Sequence, residues 1–252
     1  MNRFRFRATM AVLLAPLALG LAACGDKGES GPAGLNGDPV APIAAPAGKA
    51  WADMVAETEM GGHLIGNPDA PIKLVEYASL TCPHCAEFYE KAETALFEKY
   101  IAKGTVNFEL RNQIHDGLDL TLNLLVRCSG PEAYHPLSGQ VWSNLKEIVT
   151  TVQANGPKVE AAMKSTDQAT RYKGIADAAG LTDFFAARGI SSDQAASCLA
   201  KPGVAEKLVT QSDTQSKDLN IEGTPSFLLN GAKLDAKGWP DVEAALQQAG
   251  AR

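Results

Sequence analysis

Positive charge is the first thing this chain of 252 residues lacks: 23 Lys and Arg stand against 29 Asp and Glu, a net charge of −6. That balance argues against nucleic acid as a partner and against a polybasic patch on a membrane surface. Metal-ligand pairs are also scarce. Cys82-Pro83-His84-Cys85 has no second Cys-x-x-Cys or Cys-x-x-His pair to complete the four ligands of a structural zinc. There is no internal repeat and no coiled-coil register. The apolar run from Ala8 to Ala23 is broken by Thr9, Pro16 and Gly20 and is too short to span a membrane comfortably. It follows Arg3, Arg5 and Arg7, so residues 1–23 read as a secretory signal.

What is present is globular: 45% hydrophobic and 21% charged residues suffice for a real core. The signal ends Leu21-Ala22-Ala23-Cys24, which resembles a bacterial lipoprotein signal. That resemblance implies cleavage before Cys24 and a diacylglycerol on its thiol; Gly25 does not choose between inner and outer membrane. Removing residues 1–23 deletes three arginines and no acid, moving the net charge from −6 to −9. The expected location is the periplasm, where disulfides persist. With Cys24 acylated, four of the five cysteines remain, an even number. Residues 24–61 are expected to form a lipid-anchored tether and a short helix. Of the 26 residues from Gly25 to Ala50, 16 are Gly, Pro or Ala, a coil reaching about 25–30 Å. The short amphipathic helix is expected within Trp51–Thr58.

Chemistry concentrates in Leu74 to Tyr89. An apolar run through Ile72, Leu74, Val75 and Tyr77 reads as a strand, and Phe88, Tyr89, Ala92 and Leu96 fall at helical spacing. Cys82 and Cys85 therefore sit where a strand hands over to a helix, with Pro83 in the first helical turn. A thiolate at a helix N-terminus feels unpaired backbone N–H groups and the positive end of the dipole, so its pKa falls. Cys82 is the expected exposed nucleophile and Cys85 the resolving thiol, while the His84 ring supplies a second positive charge. No cofactor is expected beyond a redox-active Cys82–Cys85 disulfide.

Glu76, the strand and Cys-Pro-His-Cys resemble the active site of DsbA-type thiol–disulfide oxidoreductases of the thioredoxin superfamily. The resemblance implies that Pro225 is the loop proline kept in cis opposite the dithiol, with Thr224 offering its backbone to substrate. It implies that Glu76 is a buried acid assisting proton transfer at Cys85; the competing reading is a solvated glutamate at a sheet edge. Cys128 and Cys198 read either as two buried free thiols or, in an oxidising compartment, as a structural disulfide of the kind some DsbA-like proteins carry. His63, His115 and His135 show no partner pattern and read as structural or exposed. Val106 to Arg111, Phe227 to Leu229 and Ala232 to Leu234 read as further strands, the last two joined by an Asn230-Gly231 hairpin turn. The expected fold is α/β, a thioredoxin fold (β-α-β … β-β-α) over residues 62–252, interrupted by a helical insertion at 118–217.

The expected function is donation of disulfides to reduced exported proteins. The resemblance also implies reoxidation by a membrane partner of the DsbB or VKOR type. The chain is expected to be a monomer that meets the membrane only through its lipid. Two rivals stay open: a reductase or isomerase running the same chemistry from the dithiol, and a copper- or other metal-binding lipoprotein using Cys82, Cys85 and His84.

Overall fold

The computed structural model describes residues 38–252; the signal segment, Cys24 and the first part of the expected tether lie outside the described residues. At its centre is β3 (Ile72–Ala78), a strand apolar on both faces and buried at every position but Lys73. Its alternation feeds two cores. Ile72, Leu74 and Ala78 join the main one, and Val75 and Tyr77 form a smaller one with Ile221 and Leu228. Burial on both faces suits a parallel neighbour, and β4 (Val106–Asn112) runs parallel to β3 from Ile72↔Val106 to Ala78↔Asn112. Between them lie α1 (Pro83–Thr94) and its π-helical continuation Ala95–Ile101. On the other side of β3, β5 (Ser226–Leu229) and then β6 (Ala232–Leu234) pair antiparallel. Eight helices, α2 (Gly117–Val126) to α9 (Val204–Asp218), fill the chain between β4 and β5, and α10 (Trp239–Gln248) closes it. This is the expected thioredoxin unit with its helical insertion.

The sheet is wider than the sequence suggests. Residues Trp51–Thr58 give one 3₁₀ turn, Trp51–Asp53, and then a strand, β1 (Val55–Glu57), instead of the expected helix. The glycine-containing stretch Met60–Gly66 contains β2 (His63–Gly66). The physical reason is β4's far edge, whose unpaired backbone groups need partners. β2 supplies them from His63↔Leu110 to Gly66↔Asn107, and β1 caps β2, giving the order β1-β2-β4-β3-β5-β6.

Residues 38–50 are not free coil either. Val40 N–H donates to Gly250 C=O (2.9 Å) and Ile43 N–H to Lys103 C=O (2.8 Å). The buried Trp51 indole donates to Ile43 C=O (2.7 Å). Gly104 and Gly250 make this possible: both have positive φ, and a Cβ would overlap Ile43 and Trp51 at the first and Asp38 at the second. Three hydrogen bonds thus hold down a segment whose composition alone looks unstructured. No helix among the described residues is long and apolar enough to cross a membrane.

A candidate dithiol site at the mouth of α1

β3 ends at Ala78, and the turn Ser79–Thr81 delivers Cys82 to the N-cap of α1 with Pro83 next. The turn is pinned. Ser79 C=O accepts from Cys82 N–H (3.2 Å) and from the Trp142 indole on α3 (Pro131–Ser143; 3.1 Å), and the Ser79 and Thr81 hydroxyls lie 3.0 Å apart. Cys82 and Cys85 are unbonded thiols with opposite acidities. Cys82 is pulled from an ordinary 9.0 down to about 5. Donation from the Cys85 thiol is the largest cause; burial opposes it, and Thr224 and the backbone N–H groups of Cys85 and His84 add to the lowering. Cys85, wholly buried, is pushed far up by desolvation, by its own bond to Cys82 and by nearby Glu76. One sulfur is an anion at neutral pH, and its neighbour holds a proton toward it.

Cys82 is less open than expected, retaining 7% of its surface. The loop before β5 covers it: the Thr224–Pro225 bond is cis, and Cys82 Sγ lies 3.3 Å from Thr224 C=O, to which its thiol form donates. His84 also differs from expectation. Its side chain is 77% exposed and its Nδ1 stands 3.9 Å from Glu87 Oε2; the part of His84 that lowers the Cys82 pKa is the backbone N–H.

Glu76 is 1% exposed, on a central strand opposite Leu110 and Phe227, so the solvated-edge reading does not hold. Its Oε1 finds no hydrogen-bond partner among the described residues. Burial, and then the Cys82 anion, push its pKa well above the usual carboxylate range and so favour the neutral acid. A second buried acid escaped the sequence analysis. Asp119, in the first turn of α2, accepts from Leu80 N–H (2.9 Å), His115 N–H (3.0 Å) and the Asn123 amide (3.0 Å). Desolvation raises it to about 6 against those hydrogen bonds. Asp116 caps α2 by accepting from Asp119 N–H at 2.8 Å, so from sequence Asp119 is merely a helix-start acid. His115, read as partnerless, lies with its Nε2 3.4 Å from Thr224 Oγ1.

His63 and His135 form a separate buried group, His63 stacked on Tyr134 at 3.6 Å and its carbonyl 3.0 Å from His135 Nε2. Burial lowers both pKa values, to about 2 and about 4, so both are neutral. Cys128 and Cys198 are disulfide-bonded, joining the chain just after α2 to α8 (Ser192–Leu199). Among the described residues no three His, Cys, Asp or Glu are placed to hold a metal ion.

A Cys-x-x-Cys at a helix mouth, facing a cis-proline loop on a mixed sheet, defines the thioredoxin class. The sequence pattern of the thioredoxin family matches residues 58–248, and the chain belongs to that family. A Rickettsia bellii protein bearing the provisional name protein-disulfide oxidoreductase is 26% identical over 189 residues, covering 74% of this chain; the chain spans 63% of that relative's length. A crystal structure described as a protein-disulfide isomerase from Novosphingobium aromaticivorans is 30% identical, with a TM-score of 0.70, over 74% of this chain and 96% of that one. Wolbachia pipientis alpha-DsbA1, 22% identical with a TM-score of 0.59, shares the fold over 75% of this chain and 91% of its own.

Proposed function

We propose that the chain is a thiol–disulfide oxidoreductase that donates the Cys82–Cys85 disulfide to reduced exported proteins. The observation that carries this is the placing of Cys82 at the N-cap of α1 against the cis Thr224–Pro225 bond, with Cys85 buried behind it. That placing splits the acidity of the two thiols. Stabilising the Cys82 anion stabilises the dithiol form, so the disulfide form becomes a strong oxidant. A substrate thiolate attacks Cys82 Sγ and forms a mixed disulfide, and the Cys82–Cys85 bond breaks with its electron pair on Cys85. The neutral carboxyl of Glu76 gives Cys85 its proton. A second substrate thiolate then attacks the substrate sulfur, closing the substrate disulfide and expelling Cys82 as a low-pKa leaving group. Two electrons have moved from substrate to the Cys82–Cys85 pair.

The same reading puts the chain in the periplasm, a monomer tethered through acylated Cys24 and reoxidised by a membrane partner of the DsbB or VKOR type. The isomerase description of the Novosphingobium relative supports a second reading, in which the dithiol shuffles substrate disulfides. Two experiments decide. The oxidised protein should form disulfides in a reduced model protein and Cys82→Ala should not; unchanged transfer by that variant removes Cys82 from the mechanism. Alkylation of acid-trapped cells should find the pair mostly as disulfide; a mostly dithiol pair selects the second reading.

A further inference from the structure

The loop after β4 is held at three successive residues. Gln113 N–H donates to Ala78 C=O at the end of β3 (2.9 Å), Ile114 N–H to Ser212 Oγ on α9 (2.9 Å) and His115 N–H to Asp119 Oδ2 (3.0 Å). Asp119 uses its other oxygen on Leu80 N–H, two residues before Cys82 (2.9 Å). One buried carboxylate thus ties the dithiol loop to the His115 loop. The imidazole projects from this scaffold to within 3.4 Å of the Thr224 hydroxyl, on the residue whose carbonyl touches Cys82 Sγ. Asp119, Leu80–Cys82, Thr224 and His115 close a ring of contacts around the reactive sulfur.

We infer that His115, fixed by Asp119, is a positioning residue that aims the Thr224 hydroxyl at the Cys82 sulfur. A hydroxyl has one hydrogen to give. When the imidazole carries hydrogen on Nε2 it donates to Thr224 Oγ1, the oxygen acts as acceptor there, and its own hydrogen is left for the Cys82 anion. Linked hydrogen bonds of this kind polarise one another, so the second strengthens the first. In the opposite orientation the hydroxyl would spend its hydrogen on His115 and abandon the anion. His115 thus acts on the sulfur through Thr224.

The inference rests on Cys82 being the acidic thiol, but its test reads differences between variants. A wild-type protein with no low-pH thiolate would sink the proposed function itself, whereas the comparison below sinks only the role of His115. The thiolate absorbance of the reduced full-length protein is titrated in wild type, His115→Ala, His115→Gln, Thr224→Val and His115→Ala/Thr224→Val. His115 is exposed, so its removal leaves the core intact. The expected result is a rise in the Cys82 midpoint of about half to one pH unit in His115→Ala, the size of one hydrogen bond to an anion. His115→Gln, which keeps an N–H donor, should restore most of it. Thr224→Val should raise the midpoint alone, and His115→Ala should add nothing to it, because the receiver is gone. An unchanged or lowered midpoint in His115→Ala, or the same shift with and without the Thr224 hydroxyl, overturns the proposal.

Discussion

At the scale of single residues, the site works by placing ionisable groups where water is scarce. Cys82 keeps enough hydrogen-bond donors around it to prefer the anion; Cys85 and Glu76 have too few and stay protonated. A folded chain that holds a proton on Glu76 above pH 4.5, where the unfolded chain releases it, loses stability as pH rises from that value toward the raised folded pKa. Glu76→Leu removes the buried carboxyl and its unpartnered oxygen. The variant should gain about 1–2 kcal/mol in urea unfolding and show a flatter decline of stability above the normal glutamate pKa. Its exchange with reduced substrate should slow about tenfold or more, because Cys85 loses its proton donor. Exchange at the wild-type rate would separate Glu76 from the chemistry. The place of Cys82 and Cys85 where a strand hands over to a helix was legible in the spacing. Glu76, Thr224 and Pro225 were singled out only by the resemblance to DsbA-type oxidoreductases. Asp119 and His115 were not legible: their roles depend on Leu80 N–H and the Thr224 hydroxyl arriving from elsewhere in the chain. The His84 ring was misread because a helix mouth fixes where the backbone N–H points, while the side chain at that place is free to turn outward.

At the scale of elements, β3, α1, β4, β5, β6 and α10 could be read from periodicity and turn chemistry alone. β1 and β2 could not, since they are only three and four residues long and become strands only when β2 pairs with the edge of β4 and β1 with β2. The packed segment at 38–50 was hidden for a similar reason: its hydrogen-bond partners are on residues 51, 103 and 250. Within the insertion, the Cys128–Cys198 bond ties α8 to the helix carrying Asp119 across a sequence separation of 70 residues. Replacing both cysteines with serine should lower unfolding free energy by about 4 kcal/mol, the chain entropy released to the unfolded state. Disulfide transfer by Cys82 should survive, because the dithiol turn is pinned by Ser79, Trp142 and Asp119 and not by that bond. A denaturation midpoint unmoved by the double substitution would show that the bond does not constrain the unfolded chain.

At the scale of the whole molecule, three stretches far apart in the chain meet around the dithiol turn: the junction of β3 with α1, the start of α2 and the loop before β5. The thioredoxin unit supplies the first and third, and the helical insertion supplies Asp119 and Trp142, which fix the turn. An acidic protein with net charge −6 thereby makes an anion easy to form at one chosen atom, using hydrogen bonds and helix geometry in place of cationic side chains. The most direct test is a titration of thiolate absorbance in the fully reduced protein, beside Cys82→Ser. One thiolate should form with a midpoint near 5, vanish in the variant and have no second companion through neutral pH. A midpoint at the ordinary 9.0, or a low midpoint that persists without Cys82, would contradict the account.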